Sequence, residues 1–272
     1  MRNIINFLRR NEMLTDYEGF KEKILKLTGI DLSSYKERQM RRRIDSLLRR
    51  NNHDDYDLYY KALTQDSKLY DEFINYLTIN VSEFYRNPAQ WEMLEKEIMP
   101  NLMKLNKRPK IWSAACSTGE EPYSLAMMMT RFMDPGSIKI YATDIDDGAI
   151  NKAKIGVYAQ KSLVNLPKDF VSNYFSKVGE SYRISDKIKS CIEFKHHNLL
   201  NDRYPDNCDL IVCRNVMIYF TEEAKAVMYQ KFRESLNSNG VLFVGSTEQI
   251  ILPQRYKLEP VKTFFYKRSG QA

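Results

Sequence analysis

Polar residues that end or interrupt short apolar runs are the first candidates for chemistry, because burying them without partners costs free energy. Several such residues stand in the second half of this 272-residue chain. The run KIWSAAC (110–116) opens into SAACSTGEEPYS. There Gly119 permits a tight turn, Ser117 and Thr118 offer hydroxyls and backbone N–H groups, and Pro122 suits the first turn of a following helix. This is not the G-x-G-x-x-G of a dinucleotide site: two glycines are missing, so close approach of a pyrophosphate is not provided for. Glu120 and Glu121 at the helix start would repel a diphosphate and accept a cationic ligand. Both acids also suit the positive end of a helix dipole, and the loop alone leaves the two readings side by side.

The run KIYATDI (139–145) carries Asp144 near its end, about 25 residues beyond Gly119, where an acid accepts both hydroxyls of a ribose. Asp146 reads as a helix cap. CIEFKHH (191–197) leads into Asn198 and Leu199, an amide for an adenine edge and an apolar side chain for the ring face. His196 and His197 read as structural. DLIVCRN (209–215) ends in Arg214 and Asn215, with Tyr219 just beyond. A cation-tolerant loop, a ribose acid and an adenine pocket point together to S-adenosylmethionine. Cys116, Cys191, Cys208 and Cys213 form no C-x-x-C pair. A zinc site would require Cys208, Cys213, His196 and His197 to converge, so the cysteines read as buried free thiols and no metal is expected.

These positions need a parallel sheet to align them. From residue 109 onward, KIWSAAC, KIYATDI, CIEFKHH, DLIVCRN and VLFVGS (241–246) alternate with YSLAMMMTRFM (123–133), DDGAINKAKIG (146–156) and EEAKAVMYQKFRESL (222–236). That alternation predicts an α/β, Rossmann-like domain over 109–272, with ligands outside the carboxyl ends of the strands. KLEPVKTFFYKR predicts two short strands at an antiparallel edge. Residues 157–190 break the rhythm and read as a small inserted β-subdomain. Residues 1–80 predict an all-α domain. Apolar residues recur at helical spacing in Tyr17, Phe20, Ile24 and Leu27, in Met40, Ile44, Leu47 and Leu48, and in Phe73, Ile74, Leu77 and Val81. Thr28-Gly29-Ile30-Asp31 reads as a helix stop, and Asp54-Asp55 as a helix start. Residues 81–108 form a linker and helix between the domains.

The strings AACSTGEEPYSLA, ATDID and CRNVMIYF, with LTINVSEFYRN (77–87), resemble the chemotaxis receptor methyltransferase (CheR) family. They stand in family order over nearly the whole chain. The resemblance implies a helical N-terminal domain before an S-adenosylmethionine-dependent methyltransferase domain. It further implies transfer of methyl groups to glutamate side chains of chemotaxis receptors, with S-adenosylhomocysteine as product. By position it places Asn80, Ser82, Arg86, Glu121, Asp144, Asn198, Leu199, Arg214 and Asn215 at the cofactor, and Arg86 and Tyr219 near the transferred methyl group. Ser82 stands where some members have Thr. Without the resemblance, Arg86 equally suits a surface position and Tyr219 a core position. Members that grip a receptor's C-terminal pentapeptide carry a longer, glycine-rich loop in the β-subdomain. Here SKVGESYRIS has only Gly179, and no dependence on that peptide is expected.

The chain carries a formal charge of +7, which favours an acidic partner. Much of the excess lies in KERQMRRRIDSLLRR (36–50). On a helix, Arg38, Arg42 and Arg49 face away from the apolar stripe, and Arg43 flanks it. Such a run is commonly a solvated face; in the family this helix docks on the receptor, which makes Arg38, Arg42, Arg43 and Arg49 docking candidates. Ser46 replaces an Arg of some members. An RNA methyltransferase would also use a basic helix, but 36–50 lacks interleaved aromatics and no Asn-Pro-Pro-Tyr-like strand end is present, so no nucleic-acid partner is expected. A non-catalytic sensor of the cofactor is a third reading, against which Arg86 and Tyr219 speak. MRNIINFLRRNEM has no signal-peptide core, and no stretch reaches the ~20 apolar residues of a membrane span. A cytoplasmic monomer, recruited to receptor arrays without membrane insertion, is expected.

Overall fold

The computed structural model describes residues 16–270. The reading of the extreme N-terminus lies outside the described residues. The described residues divide into two compact units: those up to Ile79 together with Tyr219–Ala224, and Asn80–Ile218 together with those from Lys225 onward.

The first unit is built from α1 (Tyr17–Thr28), α2 (Glu37–Arg50), α3 (Tyr56–Gln65) and α4 (Ser67–Thr78). Asp16 caps α1 through Gly19 N at 2.9 Å, and Gly29, at φ 71°, ends it. Asp55 caps α3 through Leu58 N, and Asp66 caps α4. The predicted apolar stripes meet in an aromatic core, where Phe20 lies 4.9 Å from the Tyr56 ring and 6.3 Å from Phe73. Met40, Ile44, Leu47 and Leu48 are buried from α2. Val81 is a correction: it is 64% exposed and outside the helix. The helix stops at Thr78 because Ile79 turns into the left-handed region at φ 49°. Residues Tyr219–Ala224 join this unit through a strand-like contact: Lys36 N donates to Tyr219 O, Thr221 N donates to Ser34 O, and Tyr35 bridges Phe220.

The second unit opens with a helical run, α5 (Pro88–Met93), a π-helical turn Leu94–Ile98 and α6 (Met99–Leu105). Its main sheet has the order β6-β2-β1-β7-β8-β10-β9. The strands are β1 (Ile111–Ala114), β2 (Ile140–Asp144), β6 (Ile192–His196), β7 (Cys208–Cys213), β8 (Leu236–Val244), β9 (Leu258–Lys262) and β10 (Phe265–Arg268). The first five in spatial order run parallel, and β10 and β9 add the antiparallel edge. The chain fills the sheet from β1 outward to β6, then crosses back to β7 on β1's other side. Strand order therefore reverses between β1 and β7, and a crevice forms outside their carboxyl ends. The crossover helices are α7 (Glu120–Met129), α8 (Asp147–Ile155) and α11 (Glu222–Ser235). Helix α7 is buried on nearly every side, which explains its run of apolar residues.

Residues 157–190 form β3 (Val157–Ala159), β4 (Phe175–Val178) and β5 (Ser181–Ile184), with α9 (Lys168–Tyr174) and α10 (Asp186–Lys189). The three strands make a separate antiparallel sheet of order β3-β5-β4. No helix among the described residues is long and apolar enough to cross a membrane.

Candidate active site

The loop after β1 is shaped by three left-handed residues in alternation, Ala115 (φ 63°), Ser117 (φ 48°) and Gly119 (φ 95°). Two of them carry side chains, so this loop stores strain of about 1–3 kcal/mol per residue, as functional loops do. At Gly119 a Cβ would stand 2.8 Å from Ala153 Cβ and 3.1 Å from Tyr158 Oη, so only glycine fits. Tyr158 Oη, from the inserted subdomain, donates to Thr118 O at 2.8 Å and braces the same turn.

Asp144 holds this loop from the neighbouring strand. Its Oδ2 accepts from Ser117 N at 2.7 Å and its Oδ1 from Asp146 N at 3.0 Å. Burial pushes its carboxyl up to about 6, while the backbone donors oppose the rise. Asp146 caps α8 through Ala149 N, as its position predicts, and its other oxygen accepts from Asn80 Nδ2 at 2.5 Å. Asn80 Oδ1 in turn accepts from Ser117 Oγ at 2.9 Å. Asn80 therefore ties the start of the 80–87 segment to both strand-end loops. Ser82 bonds Glu120, whose carboxylate also accepts from Thr118 Oγ1 at 2.6 Å.

Glu121 faces the other side. It accepts from Ser113 Oγ at 2.8 Å and lies 3.6 Å from Arg214 Nη1. Burial raises its carboxyl to about 7 against the opposing pull of Arg214. Arg214 grips the 86–90 segment through Nη2, donating to Arg86 O at 2.7 Å, Gln90 Oε1 at 2.9 Å and Asn87 Oδ1 at 3.2 Å. Its guanidinium lies 4.7 Å from the Phe243 ring centre, and its Nε is buried without a hydrogen-bond partner. Arg86 itself is half-buried and donates Nη1 to Val81 O at 3.2 Å.

Asn198 and Leu199 follow β6, next to β2, where His197 N donates to Asp144 O at 2.8 Å. Asn198 Oδ1 accepts from Leu200 N at 3.0 Å, and Asn198 and Leu199 are buried. His197 packs at 5.6 Å from the Trp112 ring, a structural role consistent with its reading. Asn215, at φ 61°, turns the chain after β7. Its N–H donates to the Glu248 carboxylate, which sequence reasoning missed. Applying the strand-end rule to the fifth run, VLFVGS, points to this acid two residues beyond it. Tyr219 is half-buried and clusters with the first unit.

On α2, Arg38, Arg42 and Arg49 are exposed. Arg43 is turned inward: it donates Nη2 to Tyr76 O and lies 4.6 Å from the Tyr76 ring centre. The four cysteines are buried and free. Among the described residues no cluster of His, Cys, Asp and Glu is arranged to hold a metal ion.

The donor set at the carboxyl ends of β1, β2, β6 and β7 fits S-adenosylmethionine. Glu121 lies beside Arg214, whose Nε is buried without a hydrogen-bond partner, a pairing that suits a zwitterionic amino-acid end, and Asp144 stands at the end of β2 against the loop after β1. Two family models match the chain, "CheR methyltransferase, all-alpha domain" over residues 15–78 and "CheR methyltransferase, SAM binding domain" over residues 80–265. The chain belongs to the CheR methyltransferase family. It is an S-adenosylmethionine-dependent methyltransferase. A chemotaxis protein methyltransferase of Listeria monocytogenes is 44% identical over 252 residues, 92% of this chain and 96% of that one. One of Borreliella burgdorferi is 32% identical, over 84% of this chain and 89% of that one. Among solved structures, a TehB-like SAM-dependent methyltransferase from Corynebacterium glutamicum aligns at TM-score 0.37 and 16% identity, over 66% of this chain and 93% of that one.

Proposed function

We propose that this CheR methyltransferase esterifies glutamate side chains on the cytoplasmic helical bundle of chemotaxis receptors. The observation that carries the reading is Arg86. A guanidinium has five N–H donors, and among the described residues this one makes a single hydrogen bond, to Val81 O, so donors remain for an incoming carboxylate. The segment that bears it is held at both ends, by Asn80 and by Arg214.

S-adenosylmethionine, when bound, supplies an electrophilic methyl group. A glutamate carboxylate, with a pKa of about 4.3, is already ionised near neutrality and needs no general base. Accordingly, the acids here have binding and bracing tasks: Asp144 for a ribose, Glu121 for a cationic end, and Asp146 and Glu120 for the 80–87 segment. Opposite charges meet and cancel as the methyl group passes, so water would favour the reactants over the transition state. The chain's contribution is to exclude water and to align the carboxylate. Arg86 holds one carboxylate oxygen, and Tyr219 is assigned the methyl side by the family resemblance. Asn198 and Leu199 receive the adenine, and Asn215 and Ser82 complete the pocket. The exposed arginines of α2 meet the acidic receptor, and the enzyme acts in the cytoplasm as a monomer at receptor arrays.

Incubation with methyl-labelled cofactor and receptor-bearing membranes tests this. Base-labile label on receptor protein is the expected result. Label on RNA, or cofactor binding with no transfer, would overturn it.

A further inference from the structure

Glu248 is 5% exposed and lies in the loop after β8, outside every residue assigned above to cofactor or substrate. Its carboxylate faces donors only. Oε2 accepts from Asn215 N and from Gly245 N at 2.9 Å, and Oε1 accepts from Ile218 N at 3.2 Å. These hydrogen bonds all come from backbone N–H groups, the arrangement that binds anions in backbone nests, and the nearby Arg214 guanidinium adds a coulombic attraction. The loop it gathers is the one carrying Asn215, which sits in the left-handed region at φ 61°. Gly245 completes the fit. A Cβ there would come within 2.3 Å of Glu248 Oε2, 2.9 Å of Asn215 N and 3.2 Å of Asn215 Nδ2. The carboxylate, the glycine and the asparagine side chain thus occupy one close-packed knot.

We infer that Glu248 is a positioning residue for the cofactor, acting through the backbone of residues 215–218 to hold Asn215 in its binding conformation. The inference rests on the reading of Asn215 as a cofactor contact. Asparagine tolerates the left-handed region, and the carboxylate that accepts its N–H holds Asn215 there. A glutamine at 248 would turn an amide NH2 toward either Ile218 N–H or the Asn215 and Gly245 N–H groups, setting donor against donor. The loop would then relax toward a right-handed Asn215, and its side chain would leave the pocket.

The test is a double-mutant cycle read by calorimetry with S-adenosylhomocysteine, using Glu248→Gln, Asn215→Ala and the double variant, each checked for a cooperative thermal transition. Asn215→Ala should weaken binding by about tenfold, the value of a lost hydrogen bond to a buried site. Glu248→Gln should weaken it comparably, and the double variant no further than the worse single, because both remove the same contact. Glu248→Asp, which keeps the charge one methylene too short, should fall between wild type and Glu248→Gln, and it replaces Glu248→Gln if that variant does not fold. An unchanged dissociation constant in a folded Glu248→Gln variant beside a weakened Asn215→Ala would overturn the positioning role while leaving the cofactor site as proposed. Additive losses would also overturn it. An unaffected Asn215→Ala would remove Asn215 from the site, and the inference with it. Failure of both Glu248 variants to fold would make Glu248 a folding residue only.

Discussion

Asp144 carries two demands that respond oppositely to pH. Its buried carboxyl is raised from 3.8 to about 6, and that of Glu121 from 4.5 to about 7. A carboxyl raised on folding contributes stability that is complete below its unfolded value and is lost as pH rises through its folded value. The ligand-free protein should therefore lose stability between about pH 4 and pH 7 on account of these two groups. Ribose hydroxyls, in contrast, donate best to an ionised carboxylate, so affinity for S-adenosylhomocysteine should rise through pH 6. Thermal melts with and without this ligand across that window should show the gap between the two widening as pH rises. A constant gap would remove Asp144 from the ribose. Asp144→Asn, which retains the shape, should lose the affinity change near pH 6 and bind about tenfold or more weakly at alkaline pH. Alanine is the poorer probe, since the carboxylate also accepts from Ser117 N and Asp146 N. At this scale strand ends are readable, and the structure puts Asp144 at the end of β2 and Arg214 and Asn215 directly after β7. It did not reveal that Asn80 spends its side chain on Asp146 and Ser117, or that Arg214 grips residues 86–90, because partners so distant in sequence leave no local pattern.

Helix α2 shows how an element sorts residues of one type into different tasks. Its arginines are alike in sequence, yet Arg42 and Arg49 stand in solvent, Arg50 pairs with Glu72, and Arg43 is turned onto Tyr76 of α4. Helical spacing predicted the buried stripe; it could not tell a flanking arginine that docks from one that packs. The docking proposal is consequently tested best at Arg42 and Arg49. Reversing both charges should raise KM for receptors, leave cofactor affinity unchanged, and reduce the salt sensitivity of the wild-type rate. Steady-state methylation of receptor membranes at several ionic strengths measures all of this. Normal kinetics in the double variant would make the helix a solvated face. Arg43→Ala serves as the contrast: losing the Tyr76 contacts should cost about 1–3 kcal/mol of unit stability, measured by denaturant unfolding.

How the enzyme reaches its substrate is a property of the whole molecule, in which the inserted subdomain has a second potential part. The break in strand-helix alternation announced a separate small sheet, whereas its pairing order β3-β5-β4 was not readable, since short antiparallel strands leave register to their turns. Within the subdomain, Tyr158 already braces the loop after β1 through Thr118 O, a role inside the second unit. Gripping an extended receptor tail would require adding a strand beside β4 or β3. β4 has four residues, and Ser176, Lys177 and Val178 are exposed. It turns into β5 through Gly179 and Glu180, with Gly179 at φ 59°. A lysine on so short an edge is the usual defence against strand addition, and a turn this tight offers no loop to fold over a docked peptide. Receptor recruitment should then depend on the exposed arginines of α2 and on no tether. A pentapeptide ending in an aromatic pair, titrated against the purified protein by calorimetry, should give no measurable binding, and receptors truncated by that tail should be methylated at the full rate. Low-micromolar binding, competed by receptors that bear the tail, would show that the β4 edge accepts a strand despite its charge and brevity.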